Sequence, residues 1–345
     1  MKAIFLLEPG KLEVRDLPMP EPKEDEVLVR IRNCGICTLE QRLFTGDMKM
    51  NYPLVPGHEV SGEIVKISED AITDLKEGMR VSLDMVNRCG HCYFCRTGKS
   101  NQCINRFNHK LPVLGGFSEY IVVKLKQVFK MPDSLSFEEA AFSEPLACCI
   151  HSLKRIGLTL AEDLLVIGAG TMGQLHIQAA RVMGARVFVS DLSEKRLELA
   201  ERSGAFRTIN PAKEDVVSVV KGYTEGRGVD ACVVTTPSHV ALETGISALS
   251  NTGRLNIYTS YTDAPDLPIN ANKVHRSEKV ITGSEGRTVY DFLQATRLLS
   301  YGMVDVKPLV SRKVSFDEIE EGMQAAMSMD TYRVLVEMNN HDTGL

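Results

Sequence analysis

The run Leu164-Leu165-Val166-Ile167-Gly168-Ala169-Gly170-Thr171-Met172-Gly173 constrains the fold more than any other stretch. A short apolar strand enters Gly-x-Gly-x-x-Gly. A helical pattern follows, with apolar faces at Leu175, Ile177, Ala179, Ala180, Val182 and Met183. A second strand, 186–190, then ends at Asp191. A lone glycine triplet would equally suit an ordinary α/β turn. The ordered set of strand, glycines, helix, strand and acid is what points to a dinucleotide. Gly168 permits the tight turn, Gly170 lets backbone approach a pyrophosphate, and Gly173 lets the helix pack closely on the strand. Thr171 and Met172 open the helix, whose free N–H groups and positive dipole end suit phosphate. Asp191 lies at about the expected spacing of 20 residues, where a carboxylate accepts bonds from ribose hydroxyls and repels a 2′-phosphate. NAD is therefore expected over NADP.

At 345 residues the chain suits two domains of about 100–200 residues each. A net charge of -5 and a pI near 6.0 offer no basic field to nucleic acid or to a membrane surface. No apolar run reaches the roughly 18 residues needed to span a bilayer. The segment from Met1 to Glu8 is too short for a signal peptide and reads as a first strand. Nine cysteines without an export signal favour metal ligation and free thiols in a reducing, cytoplasmic setting.

Short strand-like runs fill the chain up to about residue 130, among them 26–31, 62–67 and 120–123, punctuated by Pro18, Pro20, Pro22, Pro53 and Pro56. This predicts a barrel-like β domain. From about 150 to 285, strands at 229–234, 253–258 and 280–284 alternate with helices, which predicts a doubly wound parallel sheet. Thr235, Tyr258 and Ser260 follow strand C-termini, where open α/β sheets bind ligands. The tail starts with a helix at 290–300 and ends with a strand at 332–337. His151 and His176 fall in helical patterns and read as structural.

Cys89-x2-Cys92-x2-Cys95-x7-Cys103 is the strongest metal signal. Four thiolates make a closed tetrahedral zinc site, structural because no position stays open. Ligation by four cysteines also suits an iron–sulfur cluster. The polar, glycine-containing loop has no core of its own, so the metal would supply its stability. Two further pieces, Cys37-Thr38-Leu39-Glu40 and Gly57-His58-Glu59, are ambiguous alone. Each reads as buried filler or as one part of an open metal site.

Gly57-His58-Glu59, the cysteine lobe, Gly115-Gly116-Phe117-Ser118-Glu119-Tyr120 and the GAGTMG turn occur together in this order. In this combination the chain resembles, over essentially its whole length, the zinc-dependent medium-chain alcohol dehydrogenases, nearest their polyol (sorbitol-type) and threonine dehydrogenase branches. The resemblance implies a GroES-like β-barrel catalytic domain over 1–148 and 286–345, and a Rossmann domain over 149–285. It implies two zincs per chain. One is catalytic, on Cys37 and His58, with Glu59 in or just outside its coordination and Glu144 as a further ligand. Cys148 and Cys149 are the alternatives to Glu144, which is preferred. The cysteine lobe holds the structural zinc. The resemblance implies a hydride transfer between a secondary alcohol of polyol type and NAD, in a cleft between the domains. An amino alcohol or anionic hydroxy compound is the alternative substrate, and a non-catalytic NAD- and zinc-binding sensor the alternative role. A homo-dimer or homo-tetramer is expected.

One departure matters. Leu39 stands where relatives usually carry the Ser or Thr that starts a proton relay. Thr38, Glu59 or water then serves, or the substrate brings its own acid–base group. Glu40 occupies the place of a usual Asp. Arg42 reads either as a contact for an anionic substrate or as a solvated side chain. Arg196 reads either as an adenosine neighbour or as a plain helix charge.

Overall fold

The computed structural model describes residues 1–106, 114–261, 264, 266, 267 and 269–338. The chain divides into two compact units, one made of 1–145 with 288–345 and the other of 146–287.

The first unit opens with an antiparallel pair, β1 (Lys2–Glu8) and β2 (Lys11–Asp16). There follow β3 (Glu26–Gly35), α1 (Thr38–Thr45), β4 (Glu59–Ile67), β5 (Arg80–Asp84), α2 (Tyr93–Arg96), β6 (Tyr120–Lys124), β7 (Val128–Lys130), α3 (Phe137–Ala140) and the start of α4 (Ser143–Arg155). Alternation places Val27, Val29 and Ile31 of β3 inward, against Val60, Ile64, Val81, Leu83 and Phe117. Burying these side chains contributes about 1.5–3 kcal/mol each.

The second unit is a six-stranded parallel sheet. Its elements are β8 (Asp163–Ile167), α5 (Thr171–Val182), β9 (Arg186–Ser190), α6 (Glu194–Arg202), β10 (Arg207–Ile209), α7 (Val216–Tyr223), β11 (Val229–Val234), α8 (His239–Ala248), β12 (Leu249–Ile257), α9 (Ala271–Ser277) and β13 (Val280–Gly283). The spatial order is β10-β9-β8-β11-β12-β13. The order reverses between β8 and β11, and that switch point opens a ligand crevice at the strand C-termini. Every residue of β8 is buried, as expected of a central parallel strand covered on both faces.

The chain then returns to the first unit with α10 (Val289–Ser300), β14 (Val310–Val314), α11 (Ile319–Met327) and β15 (Arg333–Glu337). The larger sheet of this unit runs β14-β15-β3-β4-β5-β7, with β6 also paired to β3. Among the described residues no helix is long and apolar enough to cross a membrane.

Candidate metal centres and dinucleotide turn

Antiparallel register builds the first centre. Gly35 of β3 pairs with Glu59 of β4. Cys37, two residues past one strand end, and His58, one residue before the other, therefore emerge side by side. The ligand atoms of Cys37, His58 and Glu59 all lie within 4.8 Å of one another. A Cβ on Gly35 would stand 1.9 Å from Glu59 Oε2, so a larger residue there would displace that carboxylate.

Glu40 organises this group. It sits in the first turn of α1, and its side chain is fully buried. Its Oε2 accepts from Cys37 N at 3.0 Å, and its Oε1 accepts from Gly57 N at 3.2 Å. The same Oε1 lies 2.7 Å from His58 Nδ1. A carboxylate accepts, so Nδ1 carries a proton and Nε2 is the nitrogen left to bind a metal, giving up any proton it holds. Burial disfavours the imidazolium, but the Glu40 charge, hydrogen bonds to Cys37 and Glu40, and the Glu144 charge outweigh it and hold His58 well above its ordinary range.

Glu59 is buried, and desolvation raises its carboxyl to about 7 despite Arg333 beside it. Arg333 of β15 donates from Nη1 to Ile36 O at 2.9 Å and places Nη2 3.1 Å from Glu59 Oε1. That oxygen nonetheless has no aligned hydrogen bond. The donor set fits a divalent cation: a thiol, an imidazole held by its other nitrogen, an under-satisfied buried carboxylate oxygen, and Glu144, buried and close enough to act on both His58 and Glu59. Thr38 is solvent-exposed at the first position of α1, whereas Leu39 packs into the apolar cluster of Leu6, Leu43 and Leu114.

Glu40 as the partner of His58, and Arg333, are the site residues that motif reading missed. The three-residue spacing from Cys37 to Glu40 is a capping-box spacing and was a usable signal. Arg333 gave no local one.

The second centre is the cysteine lobe. The sulfurs of Cys89, Cys92, Cys95 and Cys103 lie within 4.8 Å of one another, and none of the nine cysteines is in a disulfide. Hydrogen bonds from the Asn105 side chain and from the Cys92 and His91 backbones outweigh desolvation and bring Cys89 down to about 5. A sulfur so disposed is ready to bind as thiolate.

In the second unit the glycine turn has the geometry its spacing predicts. Gly168 has φ +98°, and Thr235 Oγ1 fixes the turn by donating to Ile167 O at 3.1 Å or Gly168 O at 3.0 Å. A Cβ on Gly173 would meet Gly168 O at 1.9 Å, whereas one on Gly170 would meet nothing closer than Arg196 at 3.8 Å. Open space over Gly170 and a first helical turn without a side-chain cap form a cradle for an anion. Asp191 accepts from Ala169 N at 2.7 Å and from Ser193 N at 2.8 Å, with Arg196 3.9 Å away. Tyr258 follows β12 and stacks edge-on against His176, with ring centroids 4.6 Å apart. Ser260 lies two residues beyond Tyr258, outside any strand.

Comparison with known proteins agrees with this arrangement. Residues 23–133 match the alcohol dehydrogenase GroES-like domain, and residues 171–301 match the zinc-binding dehydrogenase model. Sorbitol dehydrogenase of Bacillus subtilis (strain 168) is 32% identical over 95% of this chain and 94% of that enzyme. L-threonine 3-dehydrogenase of Pyrococcus horikoshii is 32% identical over 97% and 98%. A Sinorhizobium meliloti 1021 protein crystallised with NADP superposes with a TM-score of 0.91, at 29% identity, over 97% of this chain and 98% of that one. The chain belongs to the zinc-containing medium-chain alcohol dehydrogenase family, zinc-dependent enzymes that oxidise alcohols with NAD(H) or NADP(H).

Proposed function

We propose that the chain transfers hydride between a secondary alcohol of the polyol type and NAD, using a catalytic zinc held by Cys37 and His58 with Glu59 and Glu144 as its carboxylates. The observation that carries this reading is the convergence of Cys37, His58 and Glu59 at the β3–β4 end. When bound, zinc supplies Lewis acidity toward an alcohol or carbonyl oxygen, and the nicotinamide supplies the hydride acceptor. The protein's part is positioning and proton handling. Glu40 fixes the imidazole plane and tautomer of His58. Arg333 compensates the charge of Glu59, which stands in or just outside the metal's coordination. With Leu39 turned into an apolar cluster, the alcohol proton leaves by Glu59 Oε1 or water rather than by a hydroxyl at position 39. Cys89, Cys92, Cys95 and Cys103 hold the structural zinc.

In the second unit Gly168, Gly170, Thr171, Met172 and Gly173 take the pyrophosphate, Asp191 takes the adenosine ribose, and Arg196 flanks it. Thr235, Tyr258 and Ser260 lie toward the nicotinamide half. Asp191 favours NAD, because its charge repels a 2′-phosphate. An amino alcohol is the second reading, favoured by equal identity to sorbitol and threonine dehydrogenases.

The test is a panel of polyols, L-threonine and hydroxy acids with NAD or NADP, followed by absorbance of the reduced cofactor. Turnover of polyols that disappears when the Cys37 site is stripped of metal supports the reading. Silence across the panel, with tight NAD binding, would establish a sensor instead. We also propose a cytoplasmic homo-dimer or homo-tetramer, to be weighed by light scattering.

A further inference from the structure

A buried polar chain in the second unit plays no part in the reaction described above. His176 of α5 is fully buried, and both of its ring nitrogens are engaged. Nδ1 lies 2.7 Å from Met172 O, and Nε2 lies 2.9 Å from Ser152 Oγ of α4. A carbonyl can only accept, so Nδ1 carries the proton and Nε2 accepts from the Ser152 hydroxyl. Ser152 Oγ in turn accepts from Asn256 Nδ2 at 2.6 Å, and that amide also donates to Ser284 Oγ at 2.9 Å. The donors linking Asn256, Ser152 and His176 therefore point toward Met172. Burial pushes the His176 imidazole down to about 4, so it is neutral near pH 7 and this order of donors persists.

The carbonyl of Met172 belongs to the same peptide group as the N–H of Gly173. That group lies in the first turn of α5, where N–H groups point out of the helix start. A hydrogen bond to a peptide oxygen fixes the peptide plane and polarises its N–H. We propose that His176 is a positioning residue for the dinucleotide: its Nδ1–H bond to Met172 O, steadied by Ser152, holds the Met172–Gly173 peptide with its N–H aimed at the pyrophosphate. The inference rests on the dinucleotide reading of the glycine turn.

The test titrates NAD into the zinc-loaded protein by calorimetry, well below the thermal midpoint, for wild type, His176→Leu, His176→Asn and Ser152→Ala. His176→Leu is expected to weaken binding about five- to tenfold, because a peptide left to the 3.6 Å Cys149 Sγ contact in place of His176 must be reordered when NAD binds. Asn sets an amide N–H where Nδ1 stood, so His176→Asn is expected within about twofold of wild type even if it melts earlier. Ser152→Ala is expected to cost about two- to threefold. The 15N signals of the His176 ring should place the proton on Nδ1. Wild-type affinity in His176→Leu, equal losses in the Leu and Asn variants, or a proton on Nε2 would overturn the inference. If His176→Leu does not fold, Ser152→Ala and the ring signals decide. A wild type that binds neither NAD nor NADP refutes the underlying reading, a result distinct from unchanged binding in the variants.

Discussion

Removing Arg333 tests whether the buried carboxylates beside Cys37 are held by charge compensation. Arg333 and Glu59 have side chains 5% and 1% exposed, with Nη2 and Oε1 3.1 Å apart. Solvent screening is therefore slight. At that separation, an effective dielectric of about 20 gives an attraction of about 5 kcal/mol. Breaking such a pair from one side typically costs about 3–5 kcal/mol when the remaining charge stays buried without its partner. With Glu59 raised to about 7, that charge is fully present only above this pH, so the melting curves are compared at about pH 9. Arg333 also answers the charges of Cys37, Glu144 and Glu40. Arg333→Leu thus leaves a cluster of acidic groups facing one another. At about 2–4 °C per kcal/mol for a domain of this size, its melting temperature should fall by about 10 °C. Near-UV circular dichroism of the protein as isolated, with metal content measured alongside, reads this directly. The double variant Arg333→Leu/Glu59→Gln should regain part of the loss, because no buried charge is then left at position 59. A melting temperature within about 2 °C of wild type for Arg333→Leu alone, at unchanged metal content, would refute the reasoning.

Four further outcomes follow from the same geometry. Cys92→Ser should lose one zinc equivalent per chain by atomic absorption and expose the 89–103 loop to protease, while NAD binding survives. Glu40→Gln should weaken metal retention at Cys37 and His58 about 10- to 100-fold in chelator competition, because the imidazole loses its charged partner. Asp191→Ser should relax the preference for NAD over NADP in paired titrations, since the repelling carboxylate is gone. The fourth concerns acid. His176 has a folded pKa of about 4, below its ordinary 6.5, so the unfolded chain binds the proton more readily. Its stabilising contribution is therefore complete above pH 6.5 and falls by about 3 kcal/mol toward pH 4. Urea titrations of wild type and His176→Leu should converge over that window, and parallel curves would contradict the assignment.

The parts of this protein legible in its sequence are those whose chemistry is local. The glycine turn declares itself because the close contact of Gly173 with Gly168 O is made within one βα connection. The cysteine lobe declares itself because all four sulfurs come from a single loop. The strands of the second unit are legible for a related reason. Central parallel strands bury both faces and read as unbroken apolar runs, as Leu164–Ile167 does within β8.

Cys37 and His58 carry no such signature, since nothing local to either specifies the other. They meet because Val27, Val29 and Ile31 must face the core, and this fixes how β3 lies against β4. In a sheet with one buried face a slip of one residue would turn that apolar set outward, so burial also determines which residues stand at the strand ends. The candidate metal ligands are thus placed by apolar residues of the core rather than by each other. Arg333 extends the same logic to the far end of the chain. It reaches Glu59 because β15 pairs with β3 next to β4, with Leu335 opposite Gly35. The charge balance of the site is therefore set by the pairing of β15 between β14 and β3. For that reason a motif search finds the candidate ligands but not the residue whose charge offsets that of Glu59 buried beside them.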